Sequence, residues 1–365
     1  MNRNHGLDLT KTICAFMVIC IHAPFPGIIG EIIIPLTRIA VPLFFMITGY
    51  YYSSTKERKH VKKQLYKIFR LFIGANLLFL VWILLKSYIS NDSIITKIGE
   101  MFNIKSTLKF ILFNESPFCG HLWYLGAILY VLLIIFLFEK KWNREKLYPI
   151  VPFLLMTDLI FGKYSLLLFK DAIPYILVRN FLCVGLPYFL IGDWIYTRNI
   201  KVKASKARIF IYIFVLTTLV ERLSLEMFAA NAIRDHYIST TFLSVFTFLL
   251  ALQHEKIYKS ISLTALCNIG AKLSTSIYIL HPIFITIITK IITYFSCHIP
   301  FINVLYSYTA PFVIFIFTAI ASLIFHEIKK TNKYKILLHK KKIQIWLLLK
   351  IIVYLKLFRK GTELK

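Results

Sequence analysis

The sequence predicts an all-α integral membrane protein that crosses the bilayer about ten times, with both termini in the cytoplasm. Three observations predict it. The 365-residue chain is 58% hydrophobic and 17% charged, with a mean hydropathy of +0.69; soluble domains are about half apolar and about a quarter charged. Its apolar residues fall in long runs, and a helix of about 20 such residues crosses the hydrocarbon of a bilayer. Its Lys and Arg sit in short loops that alternate with loops poor in both, the asymmetry that orients membrane helices. The net charge of +27 therefore reads as a topology signal and not as a nucleic-acid footprint.

Ten runs qualify as spans, near 7–25, 32–54, 66–88, 121–138, 148–164, 175–196, 208–224, 238–253, 273–295 and 303–326. The first follows MNRNHG directly, and no small-residue cleavage pattern comes after it, so it is expected to be retained as a span. The basic connections are KERKHVKKQLYKIFR (56–70), EKKWNREK (139–146), TRNIKVKASKAR (197–208) and the stretch carrying Lys256, Lys259 and Lys272. These are the cytoplasmic loops, while APFPGIIGE (23–31) has no basic residue and faces outward. FNESPFCG (113–120) is a breaker before span four. The chain divides into a transmembrane domain, 1–328, and a basic tail, 329–365. Within that tail, 343–358 is apolar but interrupted by Lys350 and Lys356, and reads as an interfacial helix on an anionic leaflet rather than an eleventh span. The cysteines at 14, 20, 119, 183, 267 and 297 lack metal or framework spacing and read as small hydrophobes.

Polar groups inside the spans carry the functional signal, because lipid cannot solvate them. Span one holds Lys11 and His22, eleven residues apart. That is about three helical turns, so both lie on one face roughly 16 Å apart. Asp8 precedes Lys11 by one turn, as an i,i+3 pair. At the outward end the sequence places His22, Arg38, His121, Arg179, Glu221 and Arg222 at similar depth. A mid-bilayer charge costs roughly 2.5–3.5 kcal/mol on insertion scales, so these groups are expected to converge on one outward-facing cavity. His281 enters from the cytoplasmic end of span nine, just before Pro282. Two readings stand for it, a packing histidine beside a kink and a cavity group. Histidine suits deprotonation of a hydroxyl, and arginine suits an anionic partner. No GxSxG, HExxH, P-loop or GxGxxG is present. The residues alone leave catalysis and translocation both open.

The chain resembles the membrane acyltransferase-3 family over nearly its whole length. The features that carry the resemblance are Asp8, Lys11 and His22 in their spacing; Arg38 to Tyr50 (RIAVPLFFMITGY); His121 to Leu125 (HLWYL); the Arg179–Gly192 stretch; and Ile277 to Pro282 (IYILHP). The family usually has Arg where this chain has Lys11. The resemblance implies ten membrane helices that move an acyl group, commonly acetyl. The donor would be cytoplasmic acyl-CoA, and the acceptor a hydroxyl of a surface glycan, peptidoglycan or lipid-linked sugar. It implies His22 and Lys11 as catalytic residues. Arg38, His121, Arg179, Asp8, Trp123 and His281 would then bind substrate, with no metal. Many relatives carry a fused hydrolase-like domain, and this sequence shows none, so the chain is expected either to act alone or to hand its acyl group to a partner acyl-handling protein. RIAVPLFFMITGY also resembles the membrane half of the vancomycin-resistance serine racemases, which implies amino-acid transport as the alternative.

Overall fold

The computed structural model describes residues 3–54, 58–229, 231, 236–253, 261–297, 299 and 301–331. The expected interfacial helix at 343–358 lies outside them. Among the described residues the chain is helix and turn, with no strand. The helices are α1 (His5–His22), α2 (Gly27–Thr37), α3 (Ala40–Ser53), α4 (Arg58–Ile89), α5 (Ile94–Met101), α6 (Ile104–Phe113) and α7 (Trp123–Phe138). They continue as α8 (Ile150–Asp158), α9 (Ser165–Phe169), α10 (Leu186–Thr197), α11 (Ala204–Met227), α12 (Ile238–Gln253), α13 (Ile261–Lys272), α14 (Ser274–Ser296) and α15 (Phe301–Lys330). Five stretches are long and apolar enough to cross a bilayer: Gly27–Ser53, Val61–Ile89, Gly120–Phe138, Ser274–Ser296 and Phe301–Ile328. Phe181–Thr197 and Ile238–Gln253 are apolar but shorter.

α1 is the hub. It starts where the Asn4 side chain accepts the Leu7 N–H at 2.9 Å, an ordinary N-cap. It packs against α2, α3, α12, α13, α14 and α15, and Asp8 is among its buried residues. Enclosure by other helices is what lets a helix carrying His5, Asp8, Lys11 and His22 sit in an apolar bundle.

Span two is broken where the sequence reads as continuous. α2 stops at Thr37 and α3 starts at Ala40, with Arg38 in the break. Pro42 has no N–H to offer the Arg38 carbonyl four residues earlier, so the bond that would join the two helices is absent. The basic stretch expected as a loop at 56–70 is helical from Arg58 onward. Lys and Arg are good helix formers, so α4 runs on for 32 residues, about 48 Å at 1.5 Å per residue. The segment ending at Lys272, also expected as a loop, is α13, and it lies across α1. There Gly270 is required: a Cβ would stand 1.8 Å from the Asp8 carbonyl oxygen.

α3 and α10 pack backbone to backbone along a long seam. A Cβ on Gly49 would lie 2.0 Å from the Phe189 carbonyl oxygen, and one on Gly192 2.0 Å from that of Met46. The seam ends in a polar lock around the fully buried Asp193. Asp193 accepts from Tyr148 Oη at 2.6 Å and from Ser53 Oγ. Arg144 Nε stands 2.8 Å from its Oδ1, an ion pair off the hydrogen-bond axis. Arg144 also donates to Glu139 at 2.6 Å, which accepts from Tyr52 Oη. This lock ties α3, α7, α10 and the 144–148 turn at the end of the bundle that carries Asp8.

Candidate active site

His22 closes α1 and is exposed. Its ring centroid lies 5.2 Å from that of His281, which lies 5.1 Å from that of His121. Two helices and a short turn therefore bring three imidazoles together: His22 is exposed, His281 is fully buried and His121 nearly so. His121 sits in a single 3₁₀ turn, Gly120–Leu122, that leads into α7. Cys119 Sγ lies 2.9 Å from its Nδ1, and the edge of Phe79 packs on its ring. His281 is packed beside the Pro282 kink, and its ring meets those of both other histidines.

Pro282 fixes how His281 is presented. It removes the N–H that would have bonded the Tyr278 carbonyl. His281 Nδ1 lies 2.8 Å from that same oxygen and donates to it. The tautomer follows from this bond: the proton is on Nδ1, and Nε2 is left as a lone-pair acceptor. Nε2 of His281 and Nε2 of His121 are buried without a hydrogen-bond partner among the described residues. Buried polar atoms are nearly always satisfied, and these two lie in one cluster. Among the described residues no group of three His, Cys, Asp or Glu side chains has metal-binding geometry.

Arg179 and Trp123 belong to the same region. The Arg179 guanidinium lies 4.4 Å from the Tyr175 ring centroid and 5.5 Å from that of Trp123. Two aromatic faces hold the cation in an apolar surround. Tyr278 Oη donates to the His121 carbonyl, and its ring packs on Tyr124. The expected helical start of span six is a 3₁₀ turn, Tyr175–Leu177, then a π-helical turn, Phe181–Gly185, capped by Asn180. This irregular start is what brings Arg179 beside Trp123.

The outward polar groups form two neighbouring sets rather than one ring. Arg38 lines a separate cleft of about 370 Å³, with Glu31, Lys163, Arg222, Asn231 and Tyr237. His22, His121, His281 and Arg179 are not among its lining, though Pro24 and Phe25 are. The break between α2 and α3 turns Arg38 toward α11 instead of toward the histidines. Glu221 serves packing: it accepts from Ile238 N at 2.7 Å and Ser239 N at 3.2 Å, capping α12, and from Tyr164 Oη. Lys163, which also lines this cleft, is a residue the sequence reading passed over. Its signal was a lysine inside the apolar run 148–164.

At the other end of α1, Lys11 Nζ lies 3.1 Å from Asp8 Oδ1 and 5.2 Å from the Tyr51 ring centroid. Arg3 Nε takes the second oxygen of Asp8 at 2.5 Å. Asp8 thus holds two cations, and Lys11 and His22 share one rigid helix.

Fold and site define a multi-pass helical membrane protein with an imidazole- and cation-lined interior. Residues 4–326 match the acyltransferase domain of the acyltransferase-3 family, and the chain belongs to that family. Among curated proteins it is 28% identical to an amino-acid racemase of Enterococcus faecalis over 321 residues, 80% of this chain and 42% of that protein. It is also 28% identical to a serine/alanine racemase of Enterococcus gallinarum over 308 residues, 77% of this chain and 40% of that one. The chain thus spans less than half the length of the curated relatives it matches. No solved structure matches it.

Proposed function

We propose that this protein is an O-acyltransferase of the cell membrane that serves the cell envelope. It takes an acyl group, commonly acetyl, from cytoplasmic acyl-CoA and places it on a hydroxyl of a surface glycan, peptidoglycan or lipid-linked sugar. The observation that carries the reading is the exposed His22 in line with His281, whose free Nε2 is fixed by the Tyr278 carbonyl. His22 removes the hydroxyl proton, the oxygen attacks the thioester carbonyl, the C–S bond breaks, and the thiol of CoA leaves with the proton. Arg179 and His121 are placed to stabilise negative charge on the carbonyl oxygen. Lys11, about 16 Å along the same helix, attracts the donor's phosphates at the cytoplasmic end, with Asp8 orienting it. A partner acyl-handling protein could complete delivery to a distant polymer.

The test is CoA release from acetyl-CoA by purified protein with a hydroxyl acceptor, paired with analysis of O-acetyl groups on surface glycans. His22→Ala is expected to lower turnover at least a hundredfold and to remove the glycan acetyl groups with protein levels intact. Full activity of that variant removes His22 from the mechanism.

A second reading is supported by the names of the curated relatives, both amino-acid racemases. The same polar interior would then move a small solute such as an amino acid. Uptake of labelled serine or alanine into proteoliposomes without acyl-CoA supports that reading and displaces the first.

A further inference from the structure

Two of the helices at the imidazole cluster run on well beyond it. Phe79 of α4 packs on His121, and α4 continues for ten residues to Ile89, about 15 Å. His281 lies in α14, which continues for fifteen residues to Ser296, about 22 Å. Both helices set out from the end of the bundle that carries Asp8. α4 follows α3, whose Ser53 bonds Asp193, and α14 follows Gly270, which presses on Asp8. Both are long and apolar enough to cross a bilayer. Their far halves are apolar and exposed, at Val81, Leu85 and Tyr88 on α4 and at Ile287, Ile291 and Phe295 on α14. Exposed apolar surface of this kind on a spanning helix meets lipid. The hydrocarbon core is about 30 Å thick, so the histidines stand near its middle and not at its outer edge.

One face of α4 shows where its cover ends. Phe72, Ala75, Asn76 and Phe79 share that face at helical spacing and are all buried. Lys86 lies on the same face, two turns and about 10 Å beyond Phe79, and is exposed. The packing that seals α4 level with the histidines therefore does not extend above them.

We propose that the far halves of α4 and α14 bound a lateral opening to the bilayer, and that a lipid-linked phosphoryl saccharide enters by it. The lipid comes from the outer leaflet, the side opposite the basic loops. The apolar walls take its hydrocarbon chain, Lys86 meets its phosphate, and its sugar descends to the imidazoles. An ammonium is a compact cation suited to a phosphate. A polar floor at mid-bilayer is costly against hydrocarbon alone, and a sugar headgroup satisfies it. Among the acceptors named above, this selects the one already held in the membrane. Its entry stands on these helices; what it then undergoes rests on the acyltransferase reading.

The test is native mass spectrometry of the full chain in micelles, without any acyl donor. The probes are a polyprenyl phosphoryl glucose, water-soluble glucose 1-phosphate and phosphatidylglycerol as an ordinary anionic lipid. The polyprenyl-linked sugar is expected to be retained about tenfold more tightly than either of the others. Lys86→Gln is expected to weaken that retention about fivefold, and Lys86→Glu to weaken it further. Lys290→Gln is the matched control. Lys290 is exposed on α14 nine residues after His281, two and a half turns, so it points away from the cluster, and its loss is expected to leave retention unchanged. Equal retention of the three probes overturns the proposal. So does retention that survives both Lys86 variants, or that falls as far with Lys290→Gln as with Lys86→Gln. Selective retention without CoA release from acetyl-CoA supports the opening and removes the acyltransferase reading. CoA release with a soluble sugar, and no selective retention, keeps that reading and overturns the opening.

Discussion

Gly192→Ala is expected to loosen the whole bundle although it adds a single methyl. The new Cβ would stand 2.0 Å from the Met46 carbonyl oxygen and 2.7 Å from the Met46 Cα and carbonyl carbon. A carbon rests no closer than about 3.3 Å to a carbonyl oxygen, so α3 and α10 must part by about 1.3 Å. Overpacking a core costs typically 1–3 kcal/mol. Here the obstacle is helix backbone, which cannot rotate aside, so the expected loss is about 3 kcal/mol. Parting the helices also stretches the Ser53 and Arg144 contacts to Asp193 at the end of the same seam. Gly49→Ala strikes the other side of the seam, 2.0 Å from the Phe189 oxygen, and the double variant is expected to lose less than the sum because one separation relieves both. Gly74→Ala is the matched control. It lies exposed in α4 with nothing within 4 Å of its Cβ position, and gains up to about 1 kcal/mol from helix propensity. Equilibrium unfolding in mixed micelles, followed by tryptophan fluorescence, measures all four. The packing argument is wrong if Gly192→Ala lies within about 0.5 kcal/mol of Gly74→Ala.

Asp193→Ala is expected to cost about 3 kcal/mol in the same assay, because it removes one of the two carboxylates beside the partly buried Arg144 and the carboxylate that accepts from Tyr148; Asp193→Asn, which keeps the shape, should lose less. Lys11→Ala is expected to raise KM for acetyl-CoA about tenfold with a smaller change in kcat, while Lys11→Arg keeps both near wild type. Steady-state CoA release reads the two constants separately, and an unchanged KM would detach Lys11 from the donor.

Helical segments stand at each of the ten positions where apolar runs were read, because long apolar periodicity is a local property of sequence. The parts that escaped are non-local or short. The break at Arg38 depended on one missing donor, at Pro42, inside a run that is otherwise uniformly apolar. α5 and α6 are too short and too polar for a search tuned to 20-residue runs, yet each is capped in the ordinary way, by Ser93 and Asn103. The relation between Lys11 and His22 was legible because it lies on one helix. The meeting of His22 with His281 was not, since no spacing within α14 states which helix it will face. The outward cations were read as one chamber because depth can be inferred from sequence but rotation about the helix axis cannot. That is why Arg38 and Arg222 proved to keep company with Lys163 rather than with His121.

The lattice of contacts around the first turn of α1 ties residues that are synthesised far apart. Arg3 reaches Asn268 and the Cys267 carbonyl, and Thr12 donates to the Leu266 carbonyl 254 residues later at 2.6 Å. Gly270 presses directly on Asp8. During synthesis α1 must therefore wait, with a carboxylate and an ammonium already placed, while most of the chain emerges before its final neighbours arrive. Closure of the bundle is a late event dominated by distant pairing, which makes it slow. A lesion at 266–270, far along the chain from α1, would leave the first helix without its neighbour.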